Sequence, residues 1–153
     1  MRPPQGLAQW LATLPRPLVF TNGVFDLLHR GHVTYLARAR ERGAALLVAL
    51  NSDASARRLA KGADRPINRL EDRLALVAAL ESVDAVSWFD SDTPAALIDA
   101  CRPEVLVKGG DWPLEQIVGA AGVLARGGEV LSIPFEHAQS TSALLARIRA
   151  ASG

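Results

Sequence analysis

Two of the chain's three histidines, His29 and His32, stand three residues apart in the segment Thr21–His32, TNGVFDLLHRGH. On a helical turn that spacing puts both imidazoles on one face. Gly31 between them removes a side chain, so an anion can approach the backbone N–H groups of the helix start, where free donors and the helix dipole favour negative charge. Two imidazoles beside such a helix start suit charge stabilisation in phosphoryl or nucleotidyl transfer. A pair of surface histidines at a helix cap satisfies the same spacing. Zinc fits less well, because a third ligand would have to come from His137, Cys101 or Asp26, at no recognised zinc spacing. Cys101, just ahead of Arg102-Pro103 at a helix end, reads as a small buried residue rather than a nucleophile.

A second signal lies in the basic residues. Lys and Arg total 17, yet only Lys61 and Lys108 are lysines, and each is followed by glycine, in AKGAD and VKGGD. In a chain that otherwise uses Arg, these two positions suit a compact point charge better than a planar fork.

These side chains need a scaffold. Short apolar runs alternate with amphipathic stretches: LVF (Leu18–Phe20), ALLVAL (Ala45–Leu50), AVSWF (Ala85–Phe89), VLVK (Val105–Lys108) and EVLSI (Glu129–Ile133). Several lack alternation, as strands buried on both faces of a parallel sheet do. Helical spacing is expected over Val33–Arg42, Leu70–Leu80, Ala95–Cys101 (opened by Thr93-Pro94) and Ser142–Ala150. Gly6–Leu14 forms a small extra helix in a 1–17 N-terminal extension, set off by Pro15 and Pro17. The pattern predicts a single α/β domain over 1–153, doubly wound and Rossmann-like, with a five-stranded parallel sheet. Ligands of such sheets lie outside the carboxyl ends of the strands. Polar and glycine clusters follow four of the runs: Thr21-Asn22-Gly23, Asn51-Ser52-Asp53, Asp90-Ser91-Asp92 and Gly109-Gly110-Asp111. The fifth leads to Ser140-Thr141-Ser142 at a helix start.

Composition narrows the classes. Hydrophobic residues make up 49% of the 153 and charged residues 22%, which is globular and not disordered. A formal net charge of +1 argues against nucleic-acid binding over the whole surface. The longest apolar runs, Ala44–Leu50 and Leu74–Leu80, fall far short of the roughly 20 residues of a membrane span. No secretory signal is visible at the N-terminus, and a lone cysteine forms no intrachain disulfide. Cytoplasmic placement is the expectation.

The Thr21–His32 segment resembles the HxGH signature of the nucleotidyltransferase superfamily, which includes glycerol-3-phosphate cytidylyltransferase and phosphopantetheine adenylyltransferase. The wider match is closer. TNGVFDLLHRGHVTYLARAR, VALNSDASARRLAKGADRPINRLEDR, ALESVDAV, DTPAALI, LVKGGDW and GGEVL…STS resemble, in order, the D-glycero-β-D-manno-heptose 1-phosphate adenylyltransferase family, over Leu18 to Arg149. The activity often forms the C-terminal half of a bifunctional kinase–adenylyltransferase, and a chain with no room for a kinase domain implies a stand-alone form.

The resemblance implies that ATP and heptose 1-phosphate give ADP-heptose and pyrophosphate, for the lipopolysaccharide inner core. The sugar phosphate attacks the α-phosphate in line, with no protein nucleophile, so catalysis is positioning and charge stabilisation. By the same resemblance His29, His32 and Lys61 are catalytic, with Arg65 a companion to Lys61. Thr21, Asn22, Gly23, Phe25, Gly31, Lys108, Ser140, Thr141 and Ser142 bind the nucleotide. Asp26, Asn51, Asp53, Arg73, Gly110 and Asp111 bind the sugar phosphate, Asp26 alternatively capping a helix or helping to hold Mg²⁺, Asp53 alternatively serving as a helix N-cap, and Arg73 with Glu71 alternatively only capping and supplying surface charge. Trp112 forms a wall or packs at an edge. Mg²⁺ is carried mainly by the ATP phosphates, without a dedicated protein metal site. A homodimer is expected. Two departures stand out: Ala138 and Gln139 replace the usual glycine ahead of the Ser/Thr run, and Phe135 stands near the place of the arginine found in cytidylyltransferases, which weakens a CTP-dependent reading. A nucleotide-binding module without catalysis remains open on the same fold.

Overall fold

The structure, a computed structural model, describes residues 7–59, 65–136 and 141–151. Five parallel strands, β1 (Leu18–Gly23), β2 (Ala45–Asn51), β3 (Ala85–Phe89), β4 (Val105–Gly109) and β5 (Glu129–Ile133), form one sheet in the order β3-β2-β1-β4-β5. The chain builds outward from β1 through β2 to β3, then returns to lay β4 against the other side of β1. The reversal between β1 and β4 is the topological switch point, where a doubly wound sheet opens a crevice.

The unalternating strands are explained by burial on both faces. Leu18 and Phe20 join Ala45, Leu47 and Ala49 in one layer, beneath α1 (Leu7–Leu11), α5 (Ala95–Cys101) and α6 (Ala120–Ala125). Val19 joins Leu46, Val48 and Leu50 in the other, beneath α2 (Arg30–Arg40) and α4 (Leu70–Ala78). Successive residues of each central strand therefore point to opposite, equally apolar layers. Cys101 is buried in the first layer, and burial pushes its thiol up to about 12, against the nearby Arg16 cation. It is a packing residue. Glu104 pins the strand starts: its carboxylate accepts from the Leu18 N–H at 2.7 Å and from Arg16, and its carbonyl accepts from the Glu129 N–H at 2.8 Å.

Several boundaries differ from expectation. β1 runs on to Gly23, so Thr21, Asn22 and Gly23 are strand residues rather than a turn, paired with Val48, Ala49 and Leu50. α2 begins at Arg30 instead of Val33, because the Arg-Gly-His start carries no apolar residue to signal a helix. α6 (Ala120–Ala125) and a 3₁₀ turn at Leu114–Gln116 were not expected, being too short to show a full apolar period, and α3 (Asp53–Arg58) was signalled only by its capping residue. Asp53 is not the N-cap of α3. Ser52 is, its hydroxyl accepting from the Ser55 N–H at 3.0 Å. α7 spans Thr141–Ala151.

Candidate active site

A cleft of about 330 Å³ opens at the switch point, between the segments that follow β1 and β4. Asn22, Gly23, Phe25, Asp26, His29, His32, Lys108 and Ser142 all line it, so the structure gathers eight of the expected residues around one space. Trp112 also lines it.

The histidines hold its inner end. His29 is the N-cap of α2 in extended conformation, and its side chain makes no capping hydrogen bond. Helix starts are normally capped by a short polar side chain that satisfies an N–H donor. The His32 and Val33 N–H groups bond the His29 carbonyl at 2.9 and 3.3 Å, which leaves the Arg30 and Gly31 N–H groups of this 11-residue helix without a partner among the described residues. Gly31 is buried in the first turn and lies outside the lining of the cleft. The two imidazoles stack with centroids 3.9 Å apart and planes at 27°. Phe25 and Phe135 lie against His32, at 5.3 and 6.1 Å between centroids. Burial, then the neighbouring His29, holds His32 down to about 4, and burial lowers His29 as well. Both rings are therefore neutral at pH 7. The Nδ1 atoms of both are buried and have no hydrogen-bond partner among the described residues. Buried polar atoms are seldom left unpaired without a functional reason. The two rings line the cleft beside an uncapped helix start, where a neutral imidazole can offer one N–H to an anionic oxygen.

Asp26 faces this cleft, but its carboxylate is already engaged. Oδ1 accepts the N–H groups of Ile67 and Asn68 at 2.8 and 3.0 Å, and Oδ2 pairs with Arg65 Nη1 at 3.1 Å. Among the described residues no three His, Cys, Asp or Glu side chains are grouped as a metal ion would require. With Asp26 so occupied, the residues present do not fit a protein-held Mg²⁺.

Other expected residues stand elsewhere. Thr21 is fully buried within β1, its hydroxyl bonded to the Tyr35 phenol, so it offers no side chain to a nucleotide. Arg73 is turned into the protein rather than to the cleft, whose lining does not include it. It is 0% exposed, and its guanidinium donates to the carbonyls of Val24, Asn51 and Asn68 and to Asp53 Oδ1, at 2.7 to 3.0 Å. Asn51 and Asp53 belong to the same strut: Asn51 is buried with Nδ2 on Ser55 Oγ at 3.0 Å, and Asp53 answers Arg73. Arg73 and Asn51 are buried, while Asp53 keeps a side chain 27% exposed beside its bond to Arg73. Gly110 turns the chain at φ 111° and Asp111 is exposed after it, outside the lining of the cleft. Lys61 and Ser140 lie outside the described residues. Thr141 opens α7.

Tyr35 and Phe135 complete the wall, and neither was expected in it. Tyr35 stands one helical turn after His32, a spacing that places it on the same face. Burial pushes its phenol up, outweighing the bonds to Thr21 and the Gly109 backbone. A Cβ on Gly109 would come within 2.8 Å of Phe135 and 3.1 Å of Tyr35, so this glycine is what lets the two rings close over the end of β4. Trp112 is held by its own amide on Ser132 Oγ at 2.9 Å and by its indole N–H on the Gly109 carbonyl at 3.1 Å.

Comparison with known proteins gives this geometry a lineage. Residues 20–143 match the cytidylyltransferase-like family. The chain is 57% identical over 136 residues to a D-beta-D-heptose 1-phosphate adenylyltransferase of Bordetella bronchiseptica, covering 89% of this chain and 84% of that one. It is 54% identical over 132 residues to the bifunctional protein HldE of Citrobacter koseri, spanning 86% of this chain and 28% of that longer protein. Among solved structures, the lipopolysaccharide core biosynthesis protein of Thermoplasma volcanium superposes with a TM-score of 0.63 at 26% identity, over 80% of this chain and 98% of that one. A pantothenate synthetase of Thermus thermophilus shares the fold at 20% identity, with a TM-score of 0.57 over 88% of this chain and 62% of that one. The chain therefore belongs to the cytidylyltransferase-like family and, within it, to the family of the D-beta-D-heptose 1-phosphate adenylyltransferases.

Proposed function

We propose that this chain transfers the adenylyl group of ATP to D-glycero-β-D-manno-heptose 1-phosphate, releasing pyrophosphate and forming ADP-heptose for the lipopolysaccharide inner core. The observation that carries the reading is the uncapped start of α2 with His29 and His32 stacked beside it, each with an unpartnered buried nitrogen. The relatedness to a protein named for this activity supplies the substrates.

In this reading an oxygen of the sugar phosphate attacks the α-phosphorus, the bond to the leaving β-phosphate oxygen breaks opposite to it, and pyrophosphate departs. No proton has to be removed from a phosphate monoester dianion, so the protein needs no general base. Its task is to hold two anions in line and to stabilise the charge gathering on the α-phosphoryl oxygens. Neutral imidazoles donate N–H to those oxygens, and the open N–H groups of α2 add the helix dipole. The buried phenyl ring of Phe25 shields one side of His32 from water, which strengthens the bonds on that side. Lys108 brings a positive charge to the far side of the cleft. Lys61 is the second cation of the same reading, and any Mg²⁺ would be carried by the ATP phosphates. The enzyme is read as a cytoplasmic homodimer, in keeping with its need for ATP. No described helix is long and apolar enough to cross a membrane.

The test is pyrophosphate release with Mg²⁺, offering ATP or CTP against heptose 1-phosphate or glycerol 3-phosphate. Release with ATP and the heptose alone is expected. Release with CTP and glycerol 3-phosphate would keep the site and overturn the substrates, and ATP binding without release in any pairing would leave a binding module.

A further inference from the structure

Two arginines meet the walls of the cleft, and they are used differently. Arg73 is spent: four described bonds at 2.7 to 3.0 Å and no exposed surface. Arg65 has a side chain only 12% exposed, yet the described residues take just two of its N–H groups. Nη1 reaches Asp26 Oδ2 at 3.1 Å, and Nη2 reaches Ser142 Oγ, in the first turn of α7, at 3.3 Å. A guanidinium carries five donors in a planar fork that fits two phosphate oxygens at once. This one lies in the lining of the cleft that holds His29 and His32, strung between the segment after β1 and the start of α7.

Asp26 aims it. One carboxylate oxygen anchors the backbone of Ile67 and Asn68, just downstream of Arg65, while the Asn68 side-chain amide donates to the Asp26 carbonyl at 2.8 Å. The other oxygen faces the guanidinium. The segment and its cation are thus fixed by opposite edges of one carboxylate that is 4% exposed. A buried ion pair that served only to tie the loop would not need a guanidinium open to the cleft.

We infer that Arg65 is a substrate-contacting residue that binds polyphosphate oxygens of the nucleotide, and that Asp26 is a positioning residue that acts through Arg65 rather than by touching sugar or metal. The inference rests on the nucleotidyl-transfer reading above and names a ligand contact for the same cleft. The bond to Ser142 at 3.3 Å is long and the one to Asp26 at 3.1 Å is ordinary, so an arriving phosphate can take the donor from Ser142 without breaking the hold of Asp26.

The test measures binding of pyrophosphate and of a non-hydrolysable ATP analogue, both with Mg²⁺, by titration calorimetry. It also measures steady-state KM for each substrate, in R65Q, R65K, D26N and the R65Q/D26N double variant. D26N keeps an oxygen for the Ile67 and Asn68 N–H groups and turns the oxygen that accepts from Arg65 into an NH2 donor, removing both the charge and the acceptor that face the guanidinium. R65Q is expected to weaken binding of both ligands by at least about tenfold, the scale of one charge-assisted contact. R65K should recover part of it, and KM for the sugar phosphate should be unchanged. D26N should weaken nucleotide binding in the same sense, and the double variant should be no worse than R65Q, since Asp26 works through a residue already removed. Wild-type affinity in R65Q, or losses that simply add in the double variant, would overturn the inference. If D26N does not fold, R65Q against R65K decides, and equal binding by the two would reject a role for the charge. Absence of pyrophosphate release by the wild-type chain would defeat the functional reading itself. Normal wild-type turnover with indifferent R65Q would defeat only this inference.

Discussion

His29 and His32 lie ring on ring, 3.9 Å between centroids, at the start of a helix that neither of them caps. Stacking requires that they not both be charged, and burial keeps them neutral. The pair is therefore built to donate hydrogen bonds to an anion without repelling itself in the empty site. Removing one donor of this kind costs about a hundredfold or more in turnover. His29→Ala and His32→Ala should each lower the rate of pyrophosphate release on that scale, with folding retained by circular dichroism. Near-normal turnover in both would remove the site from this cleft.

Arg73 makes the opposite prediction. Its guanidinium joins the end of β1 at Val24, the end of β2 at Asn51, the start of α3 at Asp53 and the entry to α4 at Asn68. Arg73→Met leaves three carbonyls and a carboxylate without their donor, and breaking a buried pair from one side costs about 3–5 kcal/mol. Urea unfolding should show a loss of that order. Arg73→Lys restores the charge but can satisfy fewer of the four acceptors, so it should remain destabilised. A stable Arg73→Lys protein with a raised KM for the sugar phosphate would reinstate direct contact.

What could be read in advance divides along physical lines. The strands were legible because Leu18–Phe20 and Ala45–Leu50 are apolar at every position, and only a strand between two layers tolerates that. The histidine pair was legible because a three-residue spacing is a statement about a helix face. Arg73 was misjudged because a sequence shows its charge and not its burial. The carbonyls it serves come from residues 49 and 22 positions away. Asp26 was placed at the cleft, but its commitment to Ile67 and Asn68 crosses about 40 residues and leaves no periodic trace. Tyr35 and Phe135 meet only because Gly109 leaves room between them, which three separated positions do not announce.

Acid should unfold the protein partly through His32. Its folded value, about 4, lies below the 6.5 of the free side chain, so the unfolded state binds the proton first. Stability from this source is complete above pH 6.5 and is lost as pH falls from 6.5 towards 4. Urea midpoints taken at pH 7 and pH 4.5 should differ more for the wild type than for His32→Gln, which has no proton to bind. Equal pH sensitivity would show that His32 is not held neutral by its surroundings.

Chelation separates the metal's two conceivable roles. The described residues hold no group of carboxylates and imidazoles able to bind an ion, so EDTA should leave the unfolding curve where it is. Pyrophosphate release should nevertheless stop, and return with Mg²⁺, because the ion travels with the triphosphate. A fall in stability on chelation would point to a protein-held metal.

The last prediction concerns the two lysines in a chain that otherwise uses arginine. Lys108 ends its side chain 5.8 Å above the Trp112 ring, at the lip of the cleft, and Trp112 is itself pinned to Gly109 and Ser132. An ammonium is a compact, rotatable charge, whereas a guanidinium in that place would lie flat on the indole and commit its fork to one plane. Lys108→Ala and Lys61→Ala should therefore each slow turnover by at least about tenfold, the scale of one charge-assisted bond to phosphate. Lys→Arg at either position should restore less than half of the lost rate although it restores the full charge. Kinetics of the four variants at saturating ATP decide it: if both arginine variants turn over like the wild type, the choice of lysine carries no chemistry, and charge alone is what these positions supply.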